Sequence, residues 1–151
     1  MRITVHKAAR RLVLEENGET REIPVALGRC PDGAKEREGD GRTPEGIYRV
    51  VTRNAKSKFG LSLGLSYPGK ADALRGLRSG LISREQFQAI VAAHDSNRRP
   101  PWDTPLGGFI MIHGGGIETD WTEGCIALRD DDMASLFDRC ALGTEVRVCA
   151  D

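Results

Sequence analysis

The 151-residue chain has no surplus of charge of either sign, with 22 Lys and Arg against 22 Asp and Glu. That balance leaves no electrostatic footprint for nucleic acid or an anionic membrane surface. No apolar run reaches the length that spans a bilayer. The N-terminus, Met1-Arg2-Ile3-Thr4-Val5-His6, alternates like a strand at once and has no apolar h-region, so the expectation is an export signal already removed or never present. The four cysteines (Cys30, Cys125, Cys140, Cys149) make no Cys-x-x-Cys pair, which argues against a zinc site. Cys140 and Cys149 read as core residues, with a disulfide between them left open. No cofactor is suggested, and no feature specifies an oligomeric state. Aromatic residues are scarce at 5%, whereas glycines number 18. Together with an apolar fraction of 39%, this fits one turn-rich, mainly β, α+β domain over residues 1–151.

Several elements are legible in order. Arg2–His6 reads as a strand, and Arg11 to Leu27 as a hairpin turning at Asn17-Gly18. Pro31 to Glu45 is a charged, glycine-bearing loop, followed by a β-branched strand from Ile47 to Thr52 and another from Leu61 to Tyr67. The period then changes. Ala71 to Leu77 has helical spacing, and Ser83-Arg84-Glu85-Gln86 is a capping box opening a second helix whose apolar face carries Phe87, Ile90 and Val91. This helical insert, about residues 70–97, is expected to flank the functional site, with His94 solvated at its end. Phe109 to Ile112 reads as a strand. Asp130-Asp131-Asp132 is expected to cap a helix with Met133, Leu136, Phe137 and Cys140 inward, and Thr144 to Cys149 closes the chain as a strand.

The chemistry concentrates in two stretches. Ile110-Met111-Ile112 delivers His113 to a strand end before Gly114-Gly115-Gly116, and Asp120-Trp121-Thr122-Glu123-Gly124 leads to Cys125. A thiol with a pKa near ~8.5 is mostly protonated at neutral pH, and a nearby imidazole that takes its proton makes it a strong nucleophile. A glycine beside the cysteine lets substrate approach backbone N–H groups. The pattern points to cysteine acyl transfer. An isolated Cys and His would more often be packing, and the glycine density tips the balance.

Other chemistries fit less well. His113-Gly114-Gly115-Gly116 and Gly60-Leu61-Ser62-Leu63-Gly64 match serine-esterase motifs, but in the wrong order, and Ser62 falls inside an alternating strand pattern. The glycine turns lack phosphate-loop partners. A metal site from His113, Cys125 and Asp120 lacks a further ligand pair.

The ordered motifs Asp40-Gly41-Arg42-Thr43-Pro44-Glu45-Gly46, the strand ending at His113, and Gly124-Cys125-Ile126 resemble the L,D-transpeptidase (YkuD) catalytic domain. The version Trp121-Thr122-Glu123-Gly124-Cys125-Ile126-Ala127-Leu128, with Ser66-Tyr67-Pro68 before the insert, resembles its YafK-like branch. The resemblance implies a β-sandwich-like fold with a helical insert and a helix after the cysteine. It implies a bacterial periplasmic or cell-envelope enzyme acting on peptidoglycan stem peptides. Cys125 would be the nucleophile, His113 its proton acceptor and the Gly114 carbonyl the group that orients the imidazole. The N–H groups of Gly124 and Cys125 would form the oxyanion hole, and release of terminal D-alanine would leave a thioester. Water in place of an acceptor amine would make the enzyme an L,D-carboxypeptidase, and loss of chemistry would leave a wall-peptide-binding module. The chain departs from the family by Glu123 where many members have histidine and by Ala127 where many have arginine. Arg129 is then a substitute for that arginine, with Glu123, Trp121 and Thr122 as further substrate contacts.

Overall fold

In the computed structural model, which describes residues 1–151, eight strands form a mixed sheet in the order β3-β2-β1-β8-β4-β5-β6-β7. The first three are β1 (Arg2–His6), β2 (Arg11–Glu16) and β3 (Glu19–Pro24). Asn17 (φ 53°) and Gly18 (φ 78°) turn the β2–β3 hairpin, both in the left-handed region that a type I′ turn requires. β3 stops at Pro24, short of the expected Leu27. The chain stays extended beyond it, and Ala26 pairs with Ala127 at the far edge of the sheet. The two edges therefore approach each other, and the sheet folds over on itself.

β4 (Gly46–Ser57) makes the fold two-layered. Its first residues pair with β8 (Glu145–Cys149), and from Val50 onward it pairs with β5 (Gly60–Leu65). A bulge between Val50 and Thr52 re-aims the strand from one half-sheet to the other. β6 (Met111–His113) and β7 (Ile126–Ala127) complete the second half-sheet. Alternating side chains such as Ile3, Val5, Leu12, Leu14, Val146 and Val148 meet Leu63, Leu65, Ile112 and Ile126 in one buried cluster. Full burial of each such side chain contributes about 1.5–3 kcal/mol before chain entropy is subtracted.

Helix α3 (Asp130–Arg139) lays Met133, Leu136, Phe137 and Cys140 on this cluster, as the spacing predicts. Its cap differs from expectation. Arg129 is the N-cap and makes no side-chain cap, while Asp130 Oδ1 accepts from Gly115 N at 2.9 Å. The cysteines are all free, so Cys140 and Cys149 form no disulfide.

The insert comprises α1 (Lys70–Arg78) and α2 (Arg84–Asp95), the latter opened by the expected Ser83–Gln86 capping box. The two helices build a small apolar cluster of their own from Ala73, Ile82, Ile90 and Leu106. His94 is not free in solvent: its Nε2 meets the Pro68 carbonyl at 2.7 Å and ties α2 to the start of the insert.

The loop from Pro31 to Glu45 is pinned from beneath by Lys7, which is 2% exposed. Its ammonium donates to Gly33 O (2.9 Å), Thr43 O (2.7 Å) and Glu45 Oε2 (3.1 Å). An ammonium so deeply buried is tolerated because every donor has an acceptor. The loop it holds packs against the residues around Cys125.

Candidate active site

β6 is three residues long and runs between β5, antiparallel, and β7, parallel. This places His113 directly across from Ser62 on one side and Ala127 on the other. The ring is almost wholly buried. Nδ1 lies 2.6 Å from the Gly114 carbonyl, and because a carbonyl only accepts, Nδ1 carries the proton. Nε2 is buried and has no partner, so in the neutral ring it presents a bare lone pair. Burial pushes the imidazole pKa below its usual value, the Gly114 bond opposes this, and Lys58 pushes the same way as burial.

Aromatic walls explain the burial. Phe59, in the β4–β5 turn, stacks on the imidazole with ring centroids 4.2 Å apart and planes 9° from parallel. Trp121 meets the imidazole edge-on at 5.6 Å, and its Nε1 donates to Gly116 O at 3.0 Å, pinning the glycine turn. Gly115 (φ 109°) has no room for a side chain, since a Cβ there would lie 2.9 Å from the Trp121 ring.

Cys125 follows a tight bend. Gly124 has φ 136°, and a Cβ on it would lie 2.7 Å from the Arg42 carbonyl oxygen. Thr122 braces the bend, its hydroxyl donating to Cys125 O (2.7 Å) and accepting from Gly124 N (3.1 Å). The Gly124 N–H is therefore already engaged, which corrects its expected place in an oxyanion hole. The bend needs glycine for backbone conformation and close approach instead. The Cys125 N–H meets no backbone acceptor.

Sγ sits between two backbone groups. Met111 N donates to it at 3.3 Å, and the thiol donates to Phe109 O at 3.3 Å. Phe109 is not in a strand as expected. It holds a left-handed φ of 57°, uncommon for a bulky residue, and this turns its carbonyl toward the thiol. Burial raises the thiol pKa, while the Met111 N–H, Lys35 and Lys58 oppose that rise. Both directions favour a protonated thiol and a neutral imidazole in the cleft, and the two share no hydrogen bond.

His113 and Cys125 line one cleft of about 430 Å³ together with Phe59, Phe109, Met111 and Trp121. The other expected substrate contacts fare unequally. Trp121 and Glu123 line the cleft, Glu123 with its carboxylate 3.2 Å from Arg29 Nε. Thr122 also borders it, but its hydroxyl is spent on the bend. Arg129 does not reach the cleft: it is exposed at the start of α3, because the chain turns into the helix right after β7. The insert contributes no lining residue either, contrary to its expected flanking place. Ser62 borders the cleft from inside β5, with no strand-to-helix elbow, so the serine-esterase reading is overturned. Asp120 is committed to Arg10 (2.7 Å) and Leu27 N (2.9 Å) and gives no metal ligand.

Lys35, Glu38, Lys58, Phe59 and Phe109 are cleft residues that sequence reasoning missed. Only Phe59 left a trace, as a lone aromatic in a turn. Lys35 is indistinguishable in sequence from its charged loop neighbours.

Fold and site together define a two-layered α+β domain with a thiol–imidazole cleft at the end of a short strand between β5 and β7. The chain belongs to the L,D-transpeptidase catalytic domain (YkuD) family, whose model matches residues 1–148. Among solved structures it is similar to the helical cell shape determining protein Pgp2 of Campylobacter jejuni, at 20% identity and a TM-score of 0.66. Bd1075 of Bdellovibrio bacteriovorus is similar at 20% identity and a TM-score of 0.56, and an L,D-transpeptidase from Mycobacterium smegmatis at 12% and 0.57. The matches cover 99%, 99% and 98% of this chain but 47%, 47% and 58% of those chains, so it spans about half the length of these relatives. At such identities the likeness is one of fold. No curated protein sequence matches the chain significantly.

Proposed function

We propose that residues 1–151 form one catalytic unit, with a helical insert at about 70–97, that acts as a cysteine acyl-transfer enzyme on peptidoglycan stem peptides. Within the family, its Trp121–Leu128 segment fits the YafK-like branch. The observation that carries the reading is the tautomer of His113: with Nδ1–H given to Gly114 O, Nε2 is left as an unpartnered base on a ring that lines the cleft holding Cys125.

In the proposed reaction Sγ attacks the carbonyl before the terminal D-alanine, and its proton passes to His113 Nε2. The Cys125 N–H is the available backbone donor for the oxyanion. His113 returns the proton to the departing D-alanine amine, leaving a thioester on Cys125. An amine from a second stem, or water, then attacks the thioester and restores the thiol. Cross-linked dimers among the products mark a transferase, and free tripeptides an L,D-carboxypeptidase. Such a substrate places the protein at the cell envelope, and no helix of the chain is long and apolar enough to cross a membrane.

Intact-protein mass spectrometry after mixing with a stem tetrapeptide tests the acyl-enzyme. The expected result is a tripeptide adduct on Cys125, absent from Cys125→Ala. A reactive Cys125 that never acquires the adduct would favour a wall-peptide-binding module instead.

A further inference from the structure

We propose that the Lys35 ammonium binds a carboxylate of the donor peptide in the Cys125 cleft. The inference rests on the acyl-transfer reading and names how that site selects its donor.

Lys35 belongs to an exposed, charged loop, yet its side chain is only 3% exposed. Burying an ammonium is costly unless it is paired and hydrogen-bonded, so this position is held for a reason. Two donors are used, on Asp40 Oδ1 (2.9 Å) and Arg37 O (3.1 Å). An ammonium has three donors, and the third has no protein acceptor. Asp40 does not cancel this cation alone. It also accepts from the backbone N–H groups of Glu36 (2.8 Å), Arg37 (3.1 Å) and Arg42 (3.1 Å), which share its charge.

The lysine is fixed along its whole length. Its carbonyl accepts from Arg75 of α1 at 3.1 Å, and its Cε lies under Gly107, where an added Cβ would be 3.3 Å away. The charged groups lining the cleft are Lys35, Lys58, Glu38 and Glu123. Glu123 is paired with Arg29, and Lys58 is exposed on the β4–β5 turn. Lys35 is thus the one buried, preorganised cation in the cleft, and its field reaches Sγ. Position 127, across from His113, offers only a buried Ala methyl.

A stem peptide that loses its last residue carries the leaving residue's carboxylate two bonds beyond the leaving nitrogen. A diaminopimelate side chain presents a second carboxylate at its far end, six bonds from the acyl carbon. A fixed ammonium in the cleft that holds the thiol suits either, and it orients the carbonyl toward Sγ while its third donor gains an acceptor.

The test compares kcat/KM for the free-acid tetrapeptide with two analogues, one amidated at its C-terminus and one at the diaminopimelate side chain. Wild type, Lys35→Met and Lys35→Arg are assayed, with thermal melts to establish folding. The same peptides are titrated onto Cys125→Ala and Cys125→Ala/Lys35→Met for Kd. The expected result is a preference for the free acid over one amide of about tenfold or more, the size of a charge-assisted hydrogen bond. That preference shrinks to near unity in Lys35→Met and partly survives in Lys35→Arg, and the amide that is penalised identifies the carboxylate. A free-acid preference unchanged in Lys35→Met, in turnover and in Kd, overturns the inference. So does a Lys35→Met that slows acid and amides equally, which would mark a cation acting on the thiol alone. Folded wild type that processes no peptide overturns the acyl-transfer reading itself.

Discussion

The Phe59 ring lies face to face on the His113 imidazole, 4.2 Å between centroids, and this stack covers a histidine that a solvent-facing strand end would otherwise expose. Burial is the leading cause of the lowered imidazole pKa. Phe59→Ala is therefore expected to move the His113 pKa upward, toward the ordinary ~6.5, as read by NMR titration of the ring protons. An unchanged pKa would mean that Trp121 and β5 alone set the burial.

The same shift links His113 to stability. Its folded pKa lies below the unfolded value of ~6.5, so the unfolded chain binds a proton that the folded chain refuses. The associated stability is present above that value and is lost as pH falls below it toward the folded pKa. Urea midpoints measured between about pH 7 and about pH 5 should fall for wild type, and the fall should be shallower in His113→Gln.

Cys125 in the free protein is expected to rest as a thiol rather than a thiolate, because burial raises its pKa and Sγ donates to Phe109 O. Alkylation of Cys125 should accelerate with pH through the ordinary thiol range without a plateau at neutral pH. A plateau below pH ~7 would indicate a resting thiolate–imidazolium pair and contradict the geometry.

Gly124 should tolerate no side chain. With φ 136° and the Arg42 carbonyl oxygen 2.7 Å from the place a Cβ would take, Gly124→Ala must displace either the bend or the loop that carries Arg42. The backbone strain alone costs about 1–3 kcal/mol. Acyl transfer should drop by far more than the change in melting temperature implies, since Cys125 moves with the bend.

Lys7 holds the same loop through three acceptors. Lys7→Met leaves Gly33 O and Thr43 O without their donor and Glu45 without its cation. A destabilisation of about 2–3 kcal/mol is expected in urea unfolding. A neutral effect would show that the loop is held by its other contacts.

What the sequence disclosed was whatever depends on local spacing. Asn17-Gly18 turns the first hairpin, Ser83 and Gln86 cap α2, and the stripe from Met133 to Cys140 faces the core. The positions of His113 at a strand end and Cys125 behind a strained glycine follow from the same local logic. What depends on distant partners was not legible. Asp130 satisfies a loop amide instead of its own helix end, because the glycine turn comes to rest beside it. Arg129 is not among the cleft residues because β7 ends after two residues and the chain turns into α3 there. The insert builds its own small core around Leu106 and stays clear of the cleft. Lys35 and Phe59 enter the site only through tertiary packing, which charge and turn patterns do not encode.

Release of D-alanine from a stem tetrapeptide tests most directly whether Cys125 and His113 carry acyl transfer on peptidoglycan stems. Wild type should release D-alanine, Cys125→Ala none, and His113→Gln a small residue of the wild-type rate, with all three proteins folded by circular dichroism. D-alanine released at the wild-type rate by Cys125→Ala would contradict the account.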